Sequence, residues 1–177
     1  MNDVREQILP FVEALARRHP EARLPPAALA ELLMGAQFCR WSAGDRLIEA
    51  GTPVTGLLFL LWGSIELDHS DEFGGLRSVG QRHSPDVYGD RDVIDGGVHA
   101  WGAVATAHSL TAHLPREIAT PALLEPDPLG AALRRLLAAS MSANTERTNR
   151  ALRPFEQARP AAPDHRDRGH LRVSQLG

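Results

Sequence analysis

Apolar positions along the chain change their period twice. In residues 2–19, Val4, Ile8, Phe11, Val12 and Leu15 recur at helical spacing on an otherwise charged segment. Pro10 falls inside that stripe, which predicts a kink or two short helices in place of one straight rod. A second helix is expected to open at Pro25-Pro26, because proline is tolerated in a first turn. Its buried face is Leu29, Leu32 and Leu33, with Gly35 near its end.

From Phe38 onward short apolar runs alternate with glycine or aspartate punctuation, which reads as consecutive strands and tight turns. The expected strands are Phe38–Trp41, Arg46–Glu49, Leu57–Trp62, Ser64–His69, Leu76–Gln81, Ala100–Ala107 and Ser109–Leu114. Their turns fall at Gly44-Asp45, Gly51, Gly63 and Asp71–Gly75, and Gly96-Gly97 is a further turn. So many short strands in a row predict a closed roll or a sandwich.

After Pro115 the helical period returns, first over roughly 116–124. Asp127 then serves as an N-cap, with Pro128 at the first position of a long helix that is expected to end near Leu152, before Pro154. Its first half is apolar (Leu129, Leu133, Leu136, Leu137, Met141) and should pack on the body of the domain. Its second half is polar, from Asn144 to Arg150. Residues 153–177, rich in Pro, Arg, His and Asp, cannot bury enough apolar surface to offset chain entropy and are expected to be a disordered tail. The chain thus divides into N-terminal helices (1–37), strands (38–115), C-terminal helices of the same domain (116–152) and the tail.

Composition narrows the class. At 177 residues, with 43% hydrophobic residues, the chain has room for one domain with a real core, and with only 5% aromatics that core must be aliphatic. A net charge of -3 gives no basic excess of the kind nucleic-acid binders carry. Cys39 is the single cysteine, which excludes an intrachain disulfide or a cysteine-held metal; beside Phe38 and Trp41 it is expected to be a small buried hydrophobe. The longest apolar run, Leu57 to Trp62, is far below the ~20 residues of a membrane span, and the N-terminus lacks the order of a secretory signal. A soluble cytoplasmic protein is expected.

No catalytic residue emerges. His69, His83, His99, His108 and His113 are scattered, without the His-x-His pair and downstream Glu and His that a cupin-like metal enzyme uses. There is no Gly-x-Ser-x-Gly elbow. No metal site and no enzymatic activity are expected.

The spaced glycines carry a more specific signal. Gly44-Asp45-Arg46-Leu47-Ile48 is followed by Gly51, then by Leu58-Phe59-Leu60-Leu61 and Gly63; farther on stand Asp86-Val87-Tyr88-Gly89-Asp90 and Ala100-Trp101. Over about residues 26–152 this resembles the cyclic-nucleotide-binding domains of catabolite-activator and Fnr-type (Crp/Fnr) regulators. The resemblance implies an α+β fold: an antiparallel β-roll of jelly-roll type, flanked by N-terminal helices and a long C-terminal helix.

It also implies a phosphate-binding cassette, in which a Gly-Glu step, a short helix and an Arg-Ser/Thr-Ala step hold the cyclic phosphate and ribose. The corresponding site residues here are Tyr88, Gly89, Asp90, Arg91, Val98, His99 and Ala100. Asp90 stands at the glutamate, Val98 at the arginine and His99 at the Ser/Thr, while Asp92 and Asp95 add negative charge. A valine cannot neutralise a phosphate, so cAMP is not expected to bind in the usual way. The alternative is a genuine cAMP or cGMP receptor that recruits Asp90, Arg91 and backbone amides.

In the regulators it resembles, the long helix pairs two subunits. A homodimer is therefore expected, with Asn144 and Thr148 at the seam or against a nucleotide base. A winged helix-turn-helix of roughly 60–80 residues would follow that helix in a transcription factor, and the remaining residues lack its apolar pairs. No direct DNA binding is expected. The reading is a regulatory or sensor domain that acts through a protein partner, with a cyclic nucleotide as its candidate ligand.

Overall fold

The computed structural model of the protein describes residues 4–70, 75–88, 93 and 96–157. A 3-10 turn over Val4–Gln7 leads into α1 (Ile8–Arg18), and a second, Pro20–Ala22, precedes α2 (Pro26–Leu33). The strands are β1 (Gln37–Trp41), β2 (Arg46–Ile48), β3 (Gly56–Trp62), β4 (Ser64–Ser70), β5 (Leu76–His83), β6 (Asp86–Tyr88), β7 (Gly102–Ala105) and β8 (Ser109–Pro115). Helices α3 (Arg116–Leu124) and α4 (Pro128–Gln157) complete the described residues.

Pro10 breaks nothing, because it sits in the first turn of α1, where its missing N–H has no carbonyl to meet. The irregularity is taken up before it, in the 3-10 turn. At the other end α4 runs past Pro154 to Gln157, beyond the end the sequence predicts. A proline forfeits its own helical hydrogen bond, yet the residues after it can still keep helical dihedrals. Residues 153–157 are therefore helical, and the rest of the expected tail lies outside the described residues.

The strands form two antiparallel four-stranded sheets, ordered β1-β8-β3-β6 and β2-β7-β4-β5. Alternation along β3 sorts the two cores. Leu58 and Leu60 face the interior of the roll, where they meet Ile65 and Leu67 of β4 and Ala103 of β7 from the opposing sheet. Leu57, Phe59 and Leu61 face the other way and pack with Phe11, Leu15, Leu29, Leu33, Leu133 and Leu136 of the helices. The apolar half of α4 thus seats on the body as its pattern predicts, although Met141 is exposed. Phe11 meets Phe59 edge-on, with centroids 6.2 Å apart at 86°.

Gly44, Gly51 and Gly63 all adopt positive φ (93°, 81° and 95°), so the three-glycine frame is a set of real corners. Gly63 has a second reason. A Cβ there would lie 2.5 Å from the His108 carbonyl oxygen and 2.7 Å from the Ser109 Cα, where the β3–β4 corner crosses the start of β8.

Three expectations need correction. β6 is an additional strand, too short at three residues to show a period. β7 begins at Gly102, so Ala100 and Trp101 form the bend before it. Cys39 is exposed: β1 is the outer strand of its sheet, and only Phe38 and Trp41 of that strand are partly covered.

Candidate functional site

Strand β6 delivers the first site residue. Leu58 and Leu60 stand opposite Tyr88 and Asp86 in the β3–β6 register, and directly opposed residues share a face. Tyr88 and Asp86 therefore point into the roll. The Tyr88 hydroxyl donates to the Trp101 carbonyl oxygen at 2.8 Å. His99 stacks on the Tyr88 ring, with centroids 5.8 Å apart and planes 15° from parallel. His69 lies against Trp101 at 5.6 Å. The rings of Tyr88, His99, Trp101 and His69 are thus gathered at one end of the roll, a cluster to which sequence spacing gives no clue.

Residues 97–99 run beside the turn before β3. The Val54 N–H donates to the Gly97 carbonyl oxygen at 3.0 Å, the His99 N–H to Thr52 at 2.9 Å, and the Gly51 N–H to His99 at 2.8 Å. Val98 forms an antiparallel bridge with Pro53, and the residue is 53% exposed. Two chemical consequences follow. Position 98 offers an anion neither charge nor a side-chain donor, and the amide of His99 is already spent on the chain itself. Neither supplies the cation or the open N–H donor that the resemblance implies here.

The structure brings together Tyr88, Val98, His99 and, at the neighbouring bend, Ala100. Gly89, Asp90 and Arg91 lie outside the described residues, as do Asp92 and Asp95. Asn144 and Thr148 fall within α4, but their side chains lie outside the described set. Val93 is fully buried in the helix-side core, and its carbonyl oxygen accepts a hydrogen bond from the Thr120 hydroxyl of α3 at 3.4 Å. The apolar pair Val93-Ile94 between Asp92 and Asp95 was the available signal in the sequence for that anchor.

Charge inside the roll is arranged around Asp86. Arg82 of β5 stands opposite Ile65 and so faces inward with it. Its guanidinium donates to Asp86 Oδ2 at 3.3 Å, with both residues about 5% exposed or less. Arg18, at the end of α1, reaches the same oxygen at 3.8 Å and donates to the carbonyl oxygens of His83 (2.9 Å) and Pro85 (2.7 Å). The Ser140 hydroxyl of α4 donates to the Val87 carbonyl oxygen at 3.4 Å. β6 is thereby held from α1, α4 and β5 at once.

On β8, His113 Nε2 lies 3.1 Å from the Thr55 hydroxyl. Burial lowers its pKa below the usual 6.5, and Glu117 opposes that shift only partly. Among the described residues no group of three His, Cys, Asp or Glu is placed to hold a metal. Nor is any helix among them long and apolar enough to cross a membrane.

No protein-family model matches the chain. No curated protein matches it either. Solved structures do. A cyclic nucleotide-binding domain from Methylobacillus flagellatus aligns at TM-score 0.69 and 18% identity, over 85% of this chain and 83% of that one. A candidate cyclic nucleotide binding protein from Ruegeria pomeroyi aligns at TM-score 0.59 and 19% identity, over 89% of this chain and 65% of its own. The regulatory subunit of a cAMP-independent protein kinase A from Trypanosoma brucei aligns at TM-score 0.64 and 22% identity, over 84% and 51%. A triple mutant of that subunit has cAMP in its A site, and one of the three substitutions replaces threonine with arginine. This chain spans about two thirds of the Ruegeria protein and half of the trypanosome subunit. The likeness establishes the fold: the chain is built as a cyclic-nucleotide-binding domain is built.

Proposed function

We propose that the domain is a non-enzymatic regulatory or sensor module that does not hold cAMP through the usual arginine and that acts through a protein partner. The observation that carries this reading is Val98, which is exposed and bridged to Pro53 at the place where the resemblance expects a cation. The amide of His99, committed to Thr52, supports it. So does the trypanosome subunit, whose fold serves a kinase described as cAMP-independent and whose cAMP-bound form is a variant with an added arginine. Calorimetric titration with cAMP and with cGMP tests it. No binding at micromolar nucleotide is expected; micromolar affinity lost on Arg91→Ala would establish the competing reading, a receptor with an altered cassette.

The same reading places the protein in the cytoplasm as a homodimer paired through α4, with Asn144 and Thr148 at the seam. The support is that the apolar residues of α4 as far as Leu137 are consumed by packing on the body, while the 30-residue helix continues to Gln157. Sedimentation at micromolar concentration should give twice the monomer mass of 19.3 kDa, and the monomer mass would exclude this arrangement.

A further inference from the structure

We infer that Arg116 is a positioning residue that latches the described residues Val93 and Gly96–His99 onto α3. This rests on the reading above, in which these residues belong to the regulatory site. Arg116 opens α3 directly after β8, and its backbone N–H donates to the Thr55 carbonyl oxygen at 2.8 Å. Residues 52–55 are the same stretch that pairs with Gly97–His99, so Arg116 starts beside them.

Its guanidinium then covers Gly96. A Cβ on that glycine would fall within 3.1 Å of the Arg116 Cζ and Nη2, and closer still to Nη1. Gly96 also has φ +75°, a region side chains rarely enter. The backbone conformation calls for glycine, and the guanidinium tip is the neighbour that lies over it.

Thr120, four residues on, lies on the same face of α3 and donates to the Val93 carbonyl oxygen. One helix face therefore carries both fastenings. α3 is in turn fixed to α4, whose Arg134 guanidinium donates to the Leu123 and Glu125 carbonyl oxygens. A shift of the Gly96 segment is carried to the long helix through packed, hydrogen-bonded elements. Where the resemblance expects an arginine reaching out of this segment to a phosphate, an arginine reaches into it from the helix behind.

Hydrogen exchange on the full chain, followed by mass spectrometry, tests the latch. Arg116→Ala should speed exchange at Val54 and at 96–99 by roughly tenfold or more, while the β3 amides keep the wild-type rate. Arg116→Met keeps an unbranched side chain of nearly the same length without the guanidinium, and should loosen the same amides. It also keeps the test open if Arg116→Ala fails to fold. Wild-type rates at 96–99 in both variants would overturn the inference. So would uniform acceleration that includes β3, because that marks a general loss of stability. The readout uses no nucleotide: if cAMP binds the wild type, the functional reading fails while exchange still decides the latch.

Discussion

The phenol of Tyr88 is fixed at both of its faces of chemistry: its ring carries the His99 imidazole at 5.8 Å, and its hydroxyl donates to the Trp101 carbonyl oxygen at 2.8 Å. The two contacts separate cleanly by substitution. Tyr88→Phe keeps the stack, loses one hydrogen bond, and should cost about 1 kcal/mol. Tyr88→Ala also empties a buried ring site and should cost about 3–5 kcal/mol. Urea unfolding of the three proteins measures both. A Phe variant as unstable as the Ala variant would show the hydroxyl, and not the ring, to be the dominant contact.

Val98→Arg puts a cation where the resemblance places one. The site is 53% exposed, so the longer side chain needs no repacking of a core. A hydrogen bond to a charged group contributes about 1.5–3 kcal/mol, or roughly 10–100-fold in affinity. Titration should show cAMP affinity gained by that factor over wild type. No gain would mean that more than the missing arginine keeps the nucleotide out.

Asp86→Ala strands the Arg82 guanidinium inside the roll. Removal of one partner of a buried ion pair costs about 3–5 kcal/mol, because the other charge is left uncompensated. Arg18→Ala should cost about 1 kcal/mol, since Arg18 sits farther from the shared oxygen (3.8 Å) with its side chain 32% exposed. Denaturant midpoints should therefore rank wild type, Arg18→Ala, Asp86→Ala. Equal losses would show that the charge is shared evenly between the two arginines.

His113 should make the fold acid-sensitive. Its folded pKa is depressed below 6.5 by burial, so below that pH the unfolded chain takes up the proton more readily than the folded one. Stability from this group is whole above pH 6.5, falls as pH drops toward the folded pKa, and levels off beneath it. His113→Gln should flatten the decline in melting temperature across that window. An unchanged slope would assign the acid sensitivity to other groups.

The corners of the roll were legible in the sequence because a positive φ demands glycine, and Gly44, Gly51 and Gly63 announce themselves at the right intervals. Helix α3 was legible within its own boundaries, between Pro115 and the proline-rich turn that follows. Strand β6 was not. β6 has three residues, and its partners Leu58–Leu60 are nearly thirty positions away, so its existence is a matter of tertiary pairing. Cys39 was misplaced because an apolar neighbourhood in sequence does not reveal which strand lies at a sheet edge. At the site, Val98 could be read directly as an uncharged residue where the resemblance implies an arginine. The arrival of Arg116 beneath Gly96 could not, since 20 residues separate them and no local pattern joins them.

The edge-on meeting of Phe11 and Phe59 has a consequence for how the protein can be cut. α1 supplies Ile8, Phe11, Val12 and Leu15 to the helix-side core and reaches the β5–β6 corner through Arg18. A fragment that begins after Arg18 would present Phe59, Leu61 and Val87 to water and would release that corner together with its carboxylate. The opening helix is the lid of the core, and proteolysis within it should end in aggregation instead of a trimmed, still-folded roll.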